Sequence, residues 1–246
     1  GCPLRMVLRM AAGDLNAWVA LIGFAAGILT GVFFLKKGFS LGRAEAVATG
    51  EGLILPIVVI ALLVLNVTTT VFAVSQSGPG SMHAPIILSL IGGIAFGMLA
   101  QRSRLCFAGG LRDMALVRDG WGLVVIGILF AGVLIYNVAS GSFNLSFVDQ
   151  PIAHTEALWN ILGMYIVGFG ATLLGGCPLR QLVLAGSGSG DSAVTFIGLL
   201  VGAAFAHNFG LASSANGTTE AGQIATLVCI ALLFVIAIVN LKRVRA

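Results

Sequence analysis

The chain has 246 residues, of which 58% are hydrophobic and 9% charged, with 34 glycines. So much apolar surface cannot be hidden in one water-soluble core, which excludes a soluble globular domain and predicts an integral membrane protein. The formal charge of +4 does not make a nucleic-acid binder, because the positive residues flank apolar runs and form no soluble basic face.

The chain opens with Gly1-Cys2-Pro3-Leu4-Arg5, a string that returns as Gly175-Gly176-Cys177-Pro178-Leu179-Arg180. Glycine breaks a preceding helix and proline favours the first position of a new one, so each cysteine is expected at a helix N-terminus. There the free N–H groups and the positive end of the helix dipole favour a thiolate, and an arginine three residues on adds a charge on about the same face. Seven apolar runs then cross a hydrocarbon layer: Trp18 to Phe34, Leu53 to Val74, Pro85 to Leu99, Trp121 to Val138, Leu158 to Leu174, Ser192 to Phe209 and Ile224 to Val239. The fold class is therefore all-α and polytopic, a single membrane domain over residues 1–246.

Alternating sides at each span puts Lys36, Lys37, Arg43, Arg102, Arg104, Arg112, Arg118, Arg180, Lys242, Arg243 and Arg245 together, and only Arg5 and Arg9 opposite. The positive-inside rule makes the first side cytoplasmic, with the C-terminus on it. The segments around Ser75 to Ala84, Gly141 to Ala157 and Leu211 to Gln223 are then external, and His83 and His154 within them read as solvated residues.

Internal repetition is pronounced. Cys177 lies nine residues after Gly168 and 21 before Gly198, and Cys106 lies nine after Gly97 and 21 before Gly127. Cys2 is again 21 residues before Gly23, and Tyr136-Asn137 matches His207-Asn208. His207 therefore reads as a helix-packing or hydrogen-bonding residue. Asp14, Asp119 and Asp191 follow the three cysteines just before the next span, where helix capping is the simplest role.

Only about 15 residues separate each cysteine from its next span, enough for a re-entrant helix of roughly half the bilayer. Broken backbone at that depth is tolerated where it is buried in protein or lines a wet path. Five spans lie between Cys2 and Cys177, an odd number, so the two motifs approach the midplane from opposite sides while Cys106 and Cys177 enter from the same one. This is the pattern of inverted-topology repeats. Residues 85–246 hold a complete repeat and residues 1–80 the C-terminal part of another, so the count predicts three spans and one cysteine loop preceding Gly1.

Gly-Cys-Pro-Leu-Arg at both positions, with Gln101-Arg-Ser-Arg-Leu-Cys106-Phe-Ala-Gly-Gly-Leu-Arg-Asp113 between them, resembles the YeeE/YedE sulfur-transport membrane family. Gly13-Asp-Leu-Asn-Ala17, Gly38-Phe-Ser-Leu-Gly-Arg43 and Gly186-Ser-Gly-Ser-Gly-Asp191 resemble its branch linked to selenium metabolism. The resemblance implies uptake of a thiosulfate-like anion across the cell's inner membrane, with cysteines on short intramembrane helices touching the substrate in turn. That relay role carries over to Cys2, Cys106 and Cys177. The resemblance also implies a small cytoplasmic sulfur-carrier partner of the TusA type.

Arg5 and Arg180 are candidates for attracting the anion, since a charge near the midplane costs roughly 2.5 to 3.5 kcal/mol and needs a partner or a substrate. Arg104 is a further candidate at the cytoplasmic mouth with Arg102, Arg112 and Arg118, where topology signalling or docking of an acidic partner are the alternatives. Cys229 lies in the unbroken apolar run Leu227 to Val235 and reads as a small packing residue. Spacing of the cysteines argues against a zinc site, and no cofactor motif is present. The rival reading is an enzyme, a membrane sulfurtransferase or thiol oxidoreductase with a covalent cysteine intermediate. Without a Cys-x-x-Cys pair or a soluble catalytic domain, transport is favoured. Glycines at 23, 27 and 31, at 93 and 97, and at 198 and 202 are expected to let helices approach closely.

Overall fold

A computed structural model describes residues 2–42, 47–69, 71–72, 81, 84–151 and 153–241. Among them the regular elements are helices: α1 (Pro3–Ala11), α2 (Leu15–Lys36), α3 (Thr49–Gly52), α4 (Ile54–Thr68), α5 (Ile86–Arg102), α6 (Phe107–Val117), α7 (Trp121–Ala139), α8 (Ala157–Leu173), α9 (Pro178–Gly186), α10 (Gly190–Asn208) and α11 (Glu220–Val239). Among the described residues six stretches are long and apolar enough to cross a membrane, or seven if the bent pair α8 plus α9 is counted as one span. Each of the seven expected spans has its helix, and the chain is a polytopic membrane protein. The second span ends earlier than expected, because Thr69 is already extended at φ −135° and ψ 163°. His83, Arg43, Lys242, Arg243 and Arg245 lie outside the described residues.

The chain divides into two units. The first comprises Gly1–Arg43, Leu105–Leu179 and Leu199–Ala246. Its axis is α2, whose apolar window is 44% buried, packed along α8. The glycines of α2 explain the closeness. A Cβ on Gly23 would lie 2.0 Å from the Ile161 carbonyl oxygen, and one on Gly27 2.2 Å from that of Tyr165. On Gly31 it would meet the Thr172 side chain at 2.5 Å, and on Gly168 the Phe24 carbonyl oxygen at 2.3 Å. Backbone touches backbone, as membrane helices do where small residues line the contact. Contacts advance together, from 23 against 161 to 31 against 172, so α2 and α8 run parallel.

Both ends of this pair are tied down. At the N-terminal end of α2 the buried Asp14 carboxylate accepts from the Asn16 N–H at 2.9 Å and pairs with Arg9 at 2.6 Å. The turn it caps is stitched to residues 144–147 by Asn144 N–H to Ala12 O, Leu15 N–H to Ser146 O and Asn16 Nδ2 to Phe147 O. At the other end Phe34, Phe39, Phe169, Leu173 and Ala237 form a buried cluster, with Phe234 of α11 against Phe169 at 5.2 Å between ring centroids. Asp14→Ala is expected to lower unfolding stability by about 1–3 kcal/mol, because it removes a helix cap and strands half-buried Arg9. Thermal unfolding in detergent, followed by tryptophan fluorescence, measures it.

Asp119 precedes the N-cap Gly120 of α7 and accepts from the first helical N–H, that of Trp121, at 2.9 Å. Asp191 departs from the expected capping. It lies inside the first turn of α10, and the Ser189 hydroxyl accepts from the Ser192 N–H in its place.

The second unit comprises Ala44–Arg104 and Arg180–Gly198. Gly52 approaches Gly188, where a Cβ would lie 3.1 Å from the carbonyl oxygen, and Arg180 donates to Gln101 Oε1 at 2.9 Å. No residue of α4 is buried. The glycines at 93, 97, 198 and 202 differ from expectation. A Cβ on any of them would meet nothing within 4 Å, since these small faces point away from every described neighbour.

Candidate functional site

Each of the three cysteines that the repeat singles out sits at the start of a short helix. Cys2 is the N-cap of the nine-residue α1, in extended conformation with proline following. Cys106 is the N-cap of the eleven-residue α6, and its sulfur accepts from the Gly109 N–H at 3.2 Å. Cys177 immediately precedes the nine-residue α9. The break before it needs its glycine, because Gly175 has φ +80°, where a side chain is strained.

Cys106 and Cys177 converge. The Cys177 N–H donates to the Cys106 sulfur at 3.3 Å, and the Cys177 thiol hydrogen-bonds the same sulfur. Two N–H groups and a thiol thus face one sulfur atom at a helix N-terminus, where negative charge on it is stabilised. Arg112 stands beside them, with Nη1 donating to the Gly175 carbonyl at 3.0 Å and Nε to Asp113 at 2.8 Å. Gly109 makes the cradle possible, since a Cβ there would be 3.1 Å from the Cys106 sulfur. Sequence reading missed Gly109, and it placed Arg112 at the cytoplasmic mouth without setting it beside the two thiols. The signal for the first was a glycine three residues after the cysteine, at the position whose N–H an N-cap engages.

Cys2 belongs to a different place. It lines a cavity of about 510 Å³ with Arg5, Arg9, His154, His207 and Met164. Ala20, Trp159 and Asn160 also line it, so it lies toward the N-terminal ends of α2 and α8. Cys177 follows the C-terminal end of α8. The cavity that Cys2 lines thus lies toward the N-terminal ends of the parallel pair, while the two contacting cysteines follow the C-terminal end of α8.

His154 is corrected by this geometry. It is half-buried on the cavity wall, and its Nδ1 has no hydrogen-bond partner among the described residues. Burial lowers its pKa, with Arg9 acting in the same direction and Glu156 against it. His207 likewise faces the cavity, beyond the packing role expected of it. Cys229 is corrected too, since it is exposed on α11 and packs into no interior. An unbroken apolar run does not reveal which of its faces is covered.

Part of the cavity wall is a segment of small residues, with Ala212, Ser213, Ser214 and Thr218 on the cavity. Glu156 clasps it, accepting from the Thr218 N–H at 3.0 Å and from the Thr218 hydroxyl. Those bonds, the hydroxyl's first, hold the Glu156 carboxyl below its ordinary range. A depressed folded-state pKa means the clasp contributes fully above the ordinary value of 4.5 and is lost as pH falls through the lower folded value. Amide exchange over residues 211–219, corrected for intrinsic rates, should be slow at neutral pH and rise in acid. Glu156→Gln should exchange faster at neutral pH, with a smaller acid step.

Arg5 is exposed and opens on the cavity. Arg104 is exposed, with left-handed φ of +53°. Arg180 is in the first turn of α9, engaged by Gln101. Among the described residues no three His, Cys, Asp or Glu side chains are placed to hold a metal ion.

Residues 102–244 match the family model described as sulphur transport. Over 113 residues the chain is 33% identical to the thiosulfate transporter TsuA of Escherichia coli (strain K12), a stretch covering 44% of this chain and 30% of that protein. The chain thus aligns with less than a third of that relative's length. No solved structure matches it.

Proposed function

The chain belongs to the sulphur-transport family, and from that premise we propose that it carries a small thiosulfate-like anion, or its selenium counterpart, inward across the cell's inner membrane. The single observation behind this reading is the distribution of thiols along one parallel helix pair. Cys2 lines a cavity toward the N-terminal ends of that pair together with Arg5, and Cys106 and Cys177 meet just past the C-terminal end of α8.

An anion is drawn first to Arg5, which opens on the cavity with Cys2 beside the Asp14-paired Arg9. It is then passed to Cys106 and Cys177, where N–H groups and Arg112 offset its charge in a poorly solvated place. Arg104 and Arg180 supply further positive charge on the side assigned as cytoplasmic by the positive-inside rule. Residues 1–80 and 85–246 are read as parts of two inverted repeats, a reading that the parallel course of α2 and α8 supports. Delivery is to a small cytoplasmic sulfur carrier of the TusA kind, since a reduced sulfur species released free would react with cellular thiols.

The test is uptake of radiolabelled thiosulfate into proteoliposomes holding the full-length protein, with unlabelled thiosulfate, selenite and sulfate as competitors. Saturable uptake, suppressed by thiosulfate and little affected by sulfate, is expected. Uptake no greater than in protein-free liposomes would overturn the reading.

A further inference from the structure

We infer that Cys106 and Cys177 form a peroxide-sensitive dithiol, a covalent modification site whose closure to a disulfide shuts the path. The shutting rests on the transport reading above, whereas the cross-link does not.

The Cys177 N–H is 3.3 Å from the Cys106 sulfur and the two side chains interact, so the two sulfurs face each other, which is the arrangement a disulfide needs. Their environments are unequal in the way a two-step oxidation requires. Cys106 is half-exposed and receives two N–H groups, from Gly109 and Cys177, so negative charge on its sulfur is stabilised and a small oxidant reaches it. Cys177 is 0% exposed and touches that same sulfur, so it is sheltered from the oxidant yet in position to resolve the product. The other cysteines do not share this arrangement: Cys2 lines the separate cavity and Cys229 is exposed on α11.

Hydrogen peroxide supplies the oxidising equivalents. In the first step the Cys106 sulfur attacks one peroxide oxygen; an S–O bond forms, the O–O bond breaks, and the departing hydroxide leaves as water with the thiol proton. In the second the Cys177 sulfur attacks the sulfenic sulfur; an S–S bond forms, the S–O bond breaks, and the hydroxyl leaves as a second water with the Cys177 proton. Two thiols lose two electrons and one peroxide becomes two waters. The disulfide draws α6 and the start of α9 together where an anion would have to pass, and it removes both soft sulfur donors at once.

The experiment uses the full chain in lipid nanodiscs, treated with stoichiometric hydrogen peroxide, blocked with N-ethylmaleimide, digested and weighed by mass spectrometry. The expected product joins the Cys106 and Cys177 peptides with loss of two hydrogens, and it reverts with dithiothreitol. In Cys177→Ser the sulfenic acid should persist on Cys106 and be trapped by dimedone, while Cys106→Ser should leave Cys177 unlabelled. Cys229→Ser should cross-link like the parent. Dimedone trapping on Cys177, a cross-link involving Cys2, or both thiols still free for maleimide would overturn the proposal. Thiosulfate uptake is then measured in proteoliposomes before and after peroxide. Uptake surviving full cross-linking would overturn the shutting, and an untreated protein that takes up nothing would sink the transport reading while the mass data still decide the dithiol.

Discussion

Cys177→Ala and Cys106→Ala are each expected to abolish thiosulfate uptake at equal expression, whereas Cys229→Ala should leave it within about twofold of the parent. The sulfur of Cys106 is the meeting point of two N–H groups and the Cys177 thiol, and removing either sulfur leaves the others facing an unfilled space. Alanine offers no hydrogen bond and no soft donor, so a relay loses its link there. Packing alone gives a weaker effect, since the change deletes one heavy atom. Cys229, exposed on α11, has nothing to lose. Serine separates the two chemistries at the same positions. It keeps the volume and a hydrogen-bond donor but lacks the polarisable sulfur. Uptake retained in Cys106→Ser and Cys177→Ser would mean that hydrogen bonding suffices; uptake lost in both would require sulfur itself. Equal damage from Cys229→Ala would sink the assignment.

Gly27→Leu is expected to prevent the protein from folding, with a loss above about 4 kcal/mol. Even a Cβ at Gly27 would sit 2.2 Å from the Tyr165 carbonyl oxygen, and the obstacle is main chain, which cannot rotate aside as a side chain can. The helices would have to separate along their whole contact, and the Phe34 and Phe169 cluster at its end would open with them. Size-exclusion profile and thermal unfolding in detergent report this directly. Gly97→Ala and Gly202→Ala are the controls, because nothing lies within 4 Å of either added Cβ. Alanine is the better helix former by about 1 kcal/mol, so both controls should be as stable as the parent or more so. A folded Gly27→Leu protein with parental stability would mean that α2 and α8 do not pack as described.

Much of this was legible in the amino-acid sequence, for physical reasons that differ by feature. The spans were readable because a bilayer imposes a length and a polarity on any segment that crosses it, and α2, α7 and α11 obey both. The short helices after Cys2, Cys106 and Cys177 were readable because glycine and proline act on the backbone locally. The meeting of Cys106 with Cys177 was not, since a hydrogen bond across 71 positions depends on which helices pack, and hydropathy is blind to that. The same gap explains the glycines. Spacing predicts equally for 23, 27 and 31 and for 93 and 97, but only the first set found a partner among the described residues. His154 was misjudged because a loop's side of the membrane says nothing of whether the loop folds back over a cavity.

The parallel course of α2 and α8 sets a limit on how any cargo could travel. From Gly23 to Gly31 the two helices stay in close contact over about 12 Å, backbone on backbone at Gly23 and Gly27 and against the Thr172 side chain at Gly31. The frame therefore behaves as fixed masonry. On the transport reading, Cys2 on its 510 Å³ chamber and the Cys106–Cys177 pair would be two stations along this frame. Passage as proposed would then resemble a canal lock whose walls stay still, with the moving parts sought among the short helices that begin at the cysteines, α1, α6 and α9.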